Sequence, residues 1–322
     1  MPIRLPVVLS PSRTELSARC HRRHVLSDIA DRHKSRSPSA DFGTVVHAGV
    51  GAWWMGLANG DTVPQRFDAA MTAIESEWQR LKPAGSQHSL EMARELMRYY
   101  TENMPLAAQL AGPWVPHEDS EGLVIERRIE TQLGRYVLSW KLDRLLRNEK
   151  TGQLALIDLK TSAQLNARWH RQFDLWLQGR LYKLAVQQRF GQNLLVLVEG
   201  LQKSTPPQHA YHLCPEWDEE ELAEAQRTFE LWAGRDAELL AKALERASQR
   251  ALRDGMHAGA ELEELWREEL EQLAVTETEY NYGDCYAYNI QCPYYDLCSM
   301  PPAERYGRLL ADYEILPDDE SY

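Results

Sequence analysis

The 322-residue chain has no apolar run that approaches the ~20 residues a membrane-spanning helix needs. Its first ten residues, Met1 to Ser10, carry one arginine and a very short apolar stretch, too little for a signal peptide. The expectation is a cytoplasmic protein with no membrane association. Cysteine is scarce. Five residues, an odd number in a long chain, argue against a disulfide framework and for metal binding or chemistry. An excess of basic charge is also missing, since the formal charge is −12. That sign averages over regions and neither supports nor excludes a nucleic-acid partner. The stretch from Arg13 to Arg36 is basic, with Arg19, Arg22, Arg23, Arg32, Lys34 and Arg36, while acid concentrates between Asp218 and Glu271 and in Asp318, Asp319 and Glu320. There is no internal repeat. With 43% hydrophobic and 26% charged residues, the composition is that of a globular protein with a substantial core. The length allows two domains, or one catalytic domain with an insertion.

The periodicities run helix, sheet, helix. Ser12 followed by Glu15 reads as a capping box that opens a helix carrying Cys20. After a polar break at Ser35–Ala40, Gly43–Leu57 reads as a helix containing His47 and the Trp53–Trp54 pair. Pro64–Leu81 and Ser89–Asn103 read as two more. From Leu123 the period becomes two. Leu123–Glu130, Tyr136–Arg147 and Gln153–Lys160 are predicted strands of a meander, with turns at Gln132–Gly134 and Glu149–Gly152. A single helix over Asn166–Arg189 precedes a buried strand at Asn193–Glu199 and another at Gln208–Cys214. Residues 217–274 read as two acidic helices broken near Gly255–Gly259, and the last fifty or so residues as loop-like. Expected segments are a helical region over 1–122, a core over 123–214, an acidic helical region over 215–274 and a terminal segment over 275–322.

The chemistry concentrates in the second hairpin. A four-residue turn at Glu149–Gly152 pairs Asn148 with Gln153 and sets Asp143 directly opposite Asp158, Cβ atoms about 4.5–5.5 Å apart. Strand alternation puts Leu154, Leu156, Asp158 and Lys160 on one face, with Lys160 about 6.6–6.8 Å beyond Asp158. Opposed carboxylates repel unless a cation sits between them, and hard oxygen ligands suit Mg²⁺ or Mn²⁺. A nearby ammonium can orient water or stabilise a pentavalent phosphate. Taken alone, Asp-x-Lys reads as an ordinary ion pair. Here it ends a strand that is apolar on both faces, where unpaired charge is costly. The register also places Lys141 opposite Lys160, a mild like-charge cost. On the following helix Trp169, Phe173 and Trp176 read as a core stripe, while Gln178 and Tyr182 stand one turn apart on another face.

These motifs resemble the PD-(D/E)XK nuclease superfamily, specifically its RecB-like branch. The resemblance rests on His47 in Gly43-Thr44-Val45-Val46-His47, Asp143 in Lys141-Leu142-Asp143-Arg144, Asp158-Leu159-Lys160-Thr161, and Gln178-Gly179-Arg180-Leu181-Tyr182, in the family's order. It implies that His47, Asp143 and Asp158 bind the metal. Lys160 then positions or activates the attacking water, and Gln178 and Tyr182 help fix the lysine and the DNA. Trp140 departs from the pattern, standing where the family commonly has a glycine. The implied fold is α/β, a central mixed sheet flanked by helices (a restriction-endonuclease-like core) with a helical insertion.

The cysteines add a second line. Cys285, Cys292 and Cys298 cluster in an aromatic tail with Tyr286, Tyr288, Tyr294 and Tyr295, and Cys20 supplies a fourth thiol. Four thiolates suit an iron–sulfur cluster or zinc. A subset of RecB-like nucleases carries one such cysteine on an N-terminal helix and three near the C-terminus around a [4Fe–4S] cluster, which the resemblance implies here. His21 stands where a proline often follows the first cysteine, and six residues rather than two separate Cys285 from Cys292, so Zn²⁺ stays an alternative. Cys214 reads as a small buried hydrophobe. The expected function is metal-dependent hydrolysis of DNA, as an exonuclease on free ends or substrates with single-stranded character. A protein partner could bind the acidic helical region. The rival reading is a non-catalytic DNA-binding or assembly subunit of the same fold.

Overall fold

The computed structural model describes residues 8–30, 32–33, 38–82, 88–103, 110, 112–191, 194–254, 260–278, 285 and 291–315. Lys34 and Arg36, the first three residues of the polar break (35–37), the helix break at Gly255–Gly259, Tyr286 and Tyr288, and the acidic tail Asp318–Glu320 lie outside the described residues. Internal contacts divide the chain into two compact units, each built from separate stretches. The sheet unit comprises Arg36–Thr131 and Trp140–Leu222, and the terminal unit comprises Met1–Ser35, Gln132–Ser139 and Ala223–Tyr322.

In the sheet unit the strand Leu154–Ser162 is central. It pairs antiparallel with Tyr136–Asn148 on one side and parallel with Leu194–Gln202 on the other, and Gln208–Leu213 adds antiparallel to the latter. Ile125–Leu133 and Trp114–Pro116 pair with Tyr136–Asn148. All of Leu154–Leu159 is buried, as expected of an interior strand covered on both faces. Helices Pro38–Ala58, Val63–Leu81 and Leu90–Glu102 share one core with Ile125, Leu146, Ala155, Ile157, Leu159 and Leu197. The architecture is therefore mixed α/β, a central mixed sheet flanked by helices.

The hairpin that carries the motif is locked locally. Asn148 Oδ1 accepts hydrogen bonds from the backbone N–H groups of Lys150 (2.9 Å) and Thr151 (3.1 Å), and Gly152 takes φ +73° to reverse the chain. This sets the predicted register, with Arg144 opposite Ile157 and Arg147 opposite Leu154. Backbone pairing stops at Arg144–Ile157, short of the two aspartates. The Leu159 N–H donates instead to Asp143 Oδ2 at 2.6 Å. The expected Lys141–Lys160 repulsion is likewise absent, because Lys141 pairs with Glu126 at 2.9 Å and Lys160 with Asp158 at 2.8 Å.

Helix boundaries differ in four places. The helix expected at Gly43–Leu57 begins at Pro38, so Pro38–Ala40 of the expected polar break are helical. The expected Asn166–Arg189 helix is two helices, Ala167–Arg171 and Leu177–Phe190. Across the break Trp169, Phe173 and Trp176 pack edge to face at 5.0 and 5.5 Å, all buried, while Leu175 is 79% exposed. The break folds Trp176 over Gly179, where a Cβ would sit 2.4 Å from the indole. In the terminal unit the first helix spans Pro11–Arg19 and is capped by Ser10, whose Oγ accepts from Arg13 N–H at 3.1 Å. Pro11, with its φ already helical, starts the helix two residues early, and Glu15 pairs with Arg19 instead of capping. Cys20 thus ends this helix rather than riding inside it. The terminal segment is not all loop: Tyr295–Ser299 and Pro302–Asp312 are helices, whose Leu297 and Leu309 join Val25, Leu26, Leu270 and Leu273 in the core.

Candidate active site

The helix Pro38–Ala58 and two neighbouring strands bring His47, Asp143 and Glu126 together. His47 Nδ1 lies 3.2 Å from Asp143 Oδ1 and 3.8 Å from Glu126 Oε1. One potential ligand atom from each of the three lies within 4.8 Å of the others, in the arrangement of a metal site. Asp158 is not in that group. It sits on the next strand, 5% exposed, with Oδ2 2.8 Å from Lys160 Nζ. Asp143 is tied to both sides, through Oδ1 to His47 and through Oδ2 to the Leu159 amide.

The charges explain one another. Burial alone would lower the His47 pKa, but the Asp143 and Glu126 carboxylates outweigh it and hold the imidazole well above its usual range. Burial would raise Asp143, yet His47, Lys160 and the Leu159 N–H pull it below the ordinary carboxylate range. Asp158 moves the other way. Burial raises it, the Asp143 charge adds to the rise, and Lys160 only partly offsets both. A buried carboxylate held against its ionised form beside a second carboxylate is the environment that a bound cation relieves. The donors are carboxylate oxygens and one imidazole nitrogen, the set that suits a hard divalent ion.

Lys160 is held from two sides. Its ammonium pairs with Asp158 and lies 5.5 Å from the centre of the Trp176 ring, remaining 37% exposed at the site. Trp176 meets Tyr182 edge to face at 5.9 Å, and Tyr182 stacks on Trp140 at 4.7 Å. Gln178 Nε2 donates to the Tyr182 hydroxyl at 2.5 Å. Gln178 and Tyr182 are thus brought together, and they reach Lys160 by way of Trp176. Trp140, the departure from the family pattern, is 2% exposed under Tyr182, so the large side chain fills the space against that ring.

Two features escaped the sequence. Glu126 stands on a strand with no motif to mark it. The second is a buried polar network on the opposite face of the same strands. Arg144 (2% exposed) pairs with Glu199 (0%), whose other oxygen accepts from the Tyr211 hydroxyl and lies 2.8 Å from His209 Nε2. Trp54 Nε1 donates to the Tyr100 hydroxyl at 2.7 Å beside it. Glu199 read as the end of an apolar strand, and only its partners show why a carboxylate tolerates full burial.

All five cysteines are free thiols, and Cys20, Cys285, Cys292 and Cys298 lie in the terminal unit. The Cys20, Cys292 and Cys298 thiols are near enough to perturb one another. Burial above all raises Cys292 and Cys298, with the Cys20 thiol adding to both. The Cys292 N–H donates to Cys285 O at 2.8 Å, and Cys285 lines one cavity with Cys298. Buried Arg22 approaches Cys298 Sγ with Nη1 at 3.8 Å while Nη2 donates to Thr278 O at 2.7 Å. Cys214 is 6% exposed in the sheet unit, and burial raises its thiol.

Among solved structures, a protein named "Putative exonuclease" from Eubacterium rectale is similar at 14% identity, over 88% of this chain and 89% of that one, with a TM-score of 0.47. No curated protein matches the sequence. The family model of the PD-(D/E)XK nuclease superfamily matches residues 8–299, and the chain belongs to that superfamily.

Proposed function

We propose that the protein is a metal-dependent DNA nuclease of the RecB-like branch, working as an exonuclease on free or partly single-stranded ends. The observation that carries this reading is the meeting of His47 and Asp143 beside the pair that buried Asp158 makes with Lys160. His47, Asp143 and Asp158 would hold Mg²⁺ or Mn²⁺. A divalent ion bound there supplies Lewis-acid polarisation of the scissile phosphate and a more acidic attacking water. Asp143 is fixed for this task by the Leu159 N–H, which leaves its other oxygen toward His47. Lys160, steadied by Asp158 and Trp176, offers its ammonium to the charge that develops on the phosphate. Gln178 and Tyr182 brace Trp176 and offer polar groups to the DNA. The exonuclease mode follows the RecB-like character of the motifs.

In the same reading Cys20, Cys285, Cys292 and Cys298 hold a [4Fe–4S] cluster that is structural. The buried guanidinium of Arg22 beside Cys298 supports a thiolate centre, since four thiolates carry negative charge that must be matched inside a protein. Zinc would fill the same four positions, and colour with iron content separates the two.

The deciding experiment is an anaerobic preparation assayed with Mn²⁺ or Mg²⁺ on end-labelled linear DNA, single- and double-stranded, and on closed circles. Release of terminal products from linear DNA with circles spared is the expected result. Equal cleavage of circles would make it an endonuclease, and no cleavage with either ion would favour the non-catalytic subunit.

A further inference from the structure

Glu126 is the side chain near the carboxylate centre that neither the motifs nor the proposed ligand set uses. Its backbone is unusual. Among the described residues, Lys82 and Glu126 are the non-glycine residues with positive φ, at 45° and 50°. Lys82 ends a helix, where a left-handed residue is ordinary. Glu126 lies second in the strand Ile125–Leu133, where φ should be near −120°. The irregularity is local, because from Arg128 onward exposed and buried residues alternate normally. A left-handed non-glycine residue inside a strand costs free energy and re-aims its side chain, and such residues persist where the surroundings demand that direction.

The surroundings accommodate it. Gly51, one helical turn beyond His47, has no side chain where Glu126 passes. A Cβ there would stand 2.7 Å from Glu126 Cγ. The carboxylate then divides its oxygens, with Oε2 2.9 Å from Lys141 Nζ and Oε1 3.8 Å from His47 Nδ1. The Lys141 pair does not account for the strained backbone, because Lys141 is 42% exposed and exposed ion pairs contribute little. The spacing to His47 is long for a direct hydrogen bond. Two neighbouring ligands on an octahedral ion at about 2.1 Å lie about 3.0 Å apart, so the measured 3.2 and 3.8 Å around His47 Nδ1 close onto one ion with a small shift.

We infer that Glu126 is a further ligand of the divalent ion, completing a His47–Glu126–Asp143 face, and that its left-handed backbone and the missing side chain at Gly51 exist to aim it there. The inference rests on the metal-dependent reading above. Its consequence is a trade of stability for ion binding at one residue. Asparagine tolerates the left-handed region but binds a hard cation poorly.

The test compares Mn²⁺ binding, followed by the electron-paramagnetic-resonance signal of free Mn²⁺, and thermal melting in full-length wild type, Glu126→Asn, Gly51→Ala, Lys141→Met and Asp143→Asn. Glu126→Asn should weaken Mn²⁺ binding at least about tenfold, with Tm equal to or above that of wild type. Gly51→Ala keeps the carboxylate but displaces it, and should weaken binding in the same direction. Lys141→Met should stay within about twofold of wild type. Wild-type affinity in both Glu126→Asn and Gly51→Ala, with binding lost in Asp143→Asn, would overturn the role of Glu126 and leave the metal centre standing. A lowered Tm with unchanged affinity in Glu126→Asn would make it a structural partner of Lys141. Absence of Mn²⁺ binding in the wild type would remove the metal-dependent reading and this inference together.

Discussion

The carboxylate centre and the cysteine centre are built in opposite ways. Asp143, Asp158 and Lys160 lie within one hairpin, and its register sets their positions, with Glu126 on the neighbouring strand. Their charged ends leave a core of Leu146, Ala155, Ile157 and Leu159 that is apolar without them. Cys20 and Cys298 are brought together from opposite ends of the sequence, by helices that share an apolar core and also make buried polar contacts. His21 and His24 both reach Asp236, at 2.8 and 2.9 Å, and Arg22 and Arg305 donate to Thr278 O and Val275 O. A site on a finished scaffold can lose its chemistry and keep its fold. A site that joins distant segments contributes to the folding free energy itself. The first should fail by activity, the second by stability.

The largest effect tests the first half of that contrast. Asp158→Asn keeps the shape and removes the charge, and should lower cleavage of end-labelled DNA by about a hundredfold or more. Because burial already disfavours the ionised carboxylate, its Tm should not fall. Lys160→Ala should behave alike in the assay, and near-wild-type cleavage by either variant would break the assignment. Removal of divalent ions with EDTA should also abolish cleavage. Mn²⁺ or Mg²⁺ should restore it and Ca²⁺ should not, since a larger and looser coordination shell places water less well. Undiminished activity after exhaustive chelation would end the metal mechanism.

The second half is tested at the cysteines. Anaerobically purified protein should be brown, and Cys20→Ser, Cys285→Ser, Cys292→Ser or Cys298→Ser should bleach it and lower Tm by about 5 °C or more. Cys214→Ser, on a thiol of the other unit, should leave colour and iron content unchanged. A colourless wild type with one zinc would keep the staple and remove the cluster.

The smallest effect is in pH, and it separates the units by sign. In the sheet unit burial pushes His209 down to about 4, with the Arg144 charge assisting. An unfolded histidine takes its proton near 6.5, so this contribution to stability is lost as pH falls from about 6.5 to 4. In the terminal unit burial would lower His24, but hydrogen bonds to Asp236 and Asp28 carry it up to about 9. Its contribution is present below about 6.5 and lost as pH rises to about 9. Melting curves of His209→Gln should be flatter than wild type on the acid side, and those of His24→Gln on the alkaline side. A flattening on the wrong side would refute the environment assigned to that residue.

Much of the sheet unit was legible because its signals are local. A period of two, an Asn–Gly-bounded turn and an uninterrupted apolar strand determine the hairpin, its register and the neighbourhood of Asp143 and Asp158. Helical spacing put Gln178 and Tyr182 one turn apart, and they do meet, although spacing alone marked only an amphipathic helix. Tertiary packing decided the rest. The Asn166–Arg189 periodicity contains no glycine or proline before Gly179, and the helix still breaks at Gln172–Trp176, because burying three aromatic rings outweighs a few helical hydrogen bonds. The start at Pro11 turned on a single cap, where Ser10 and Ser12 offer the same chemistry two residues apart. Full burial of Glu199 and Asp236 depends on partners many residues away, which no local pattern encodes. Glu126 is the clearest case. Sequence determined that a carboxylate stands in that strand, but its left-handed backbone, and hence its direction toward His47, is accommodated by Gly51 on another element, since a backbone angle that costs free energy is held by its surroundings and not by the residue's own preference.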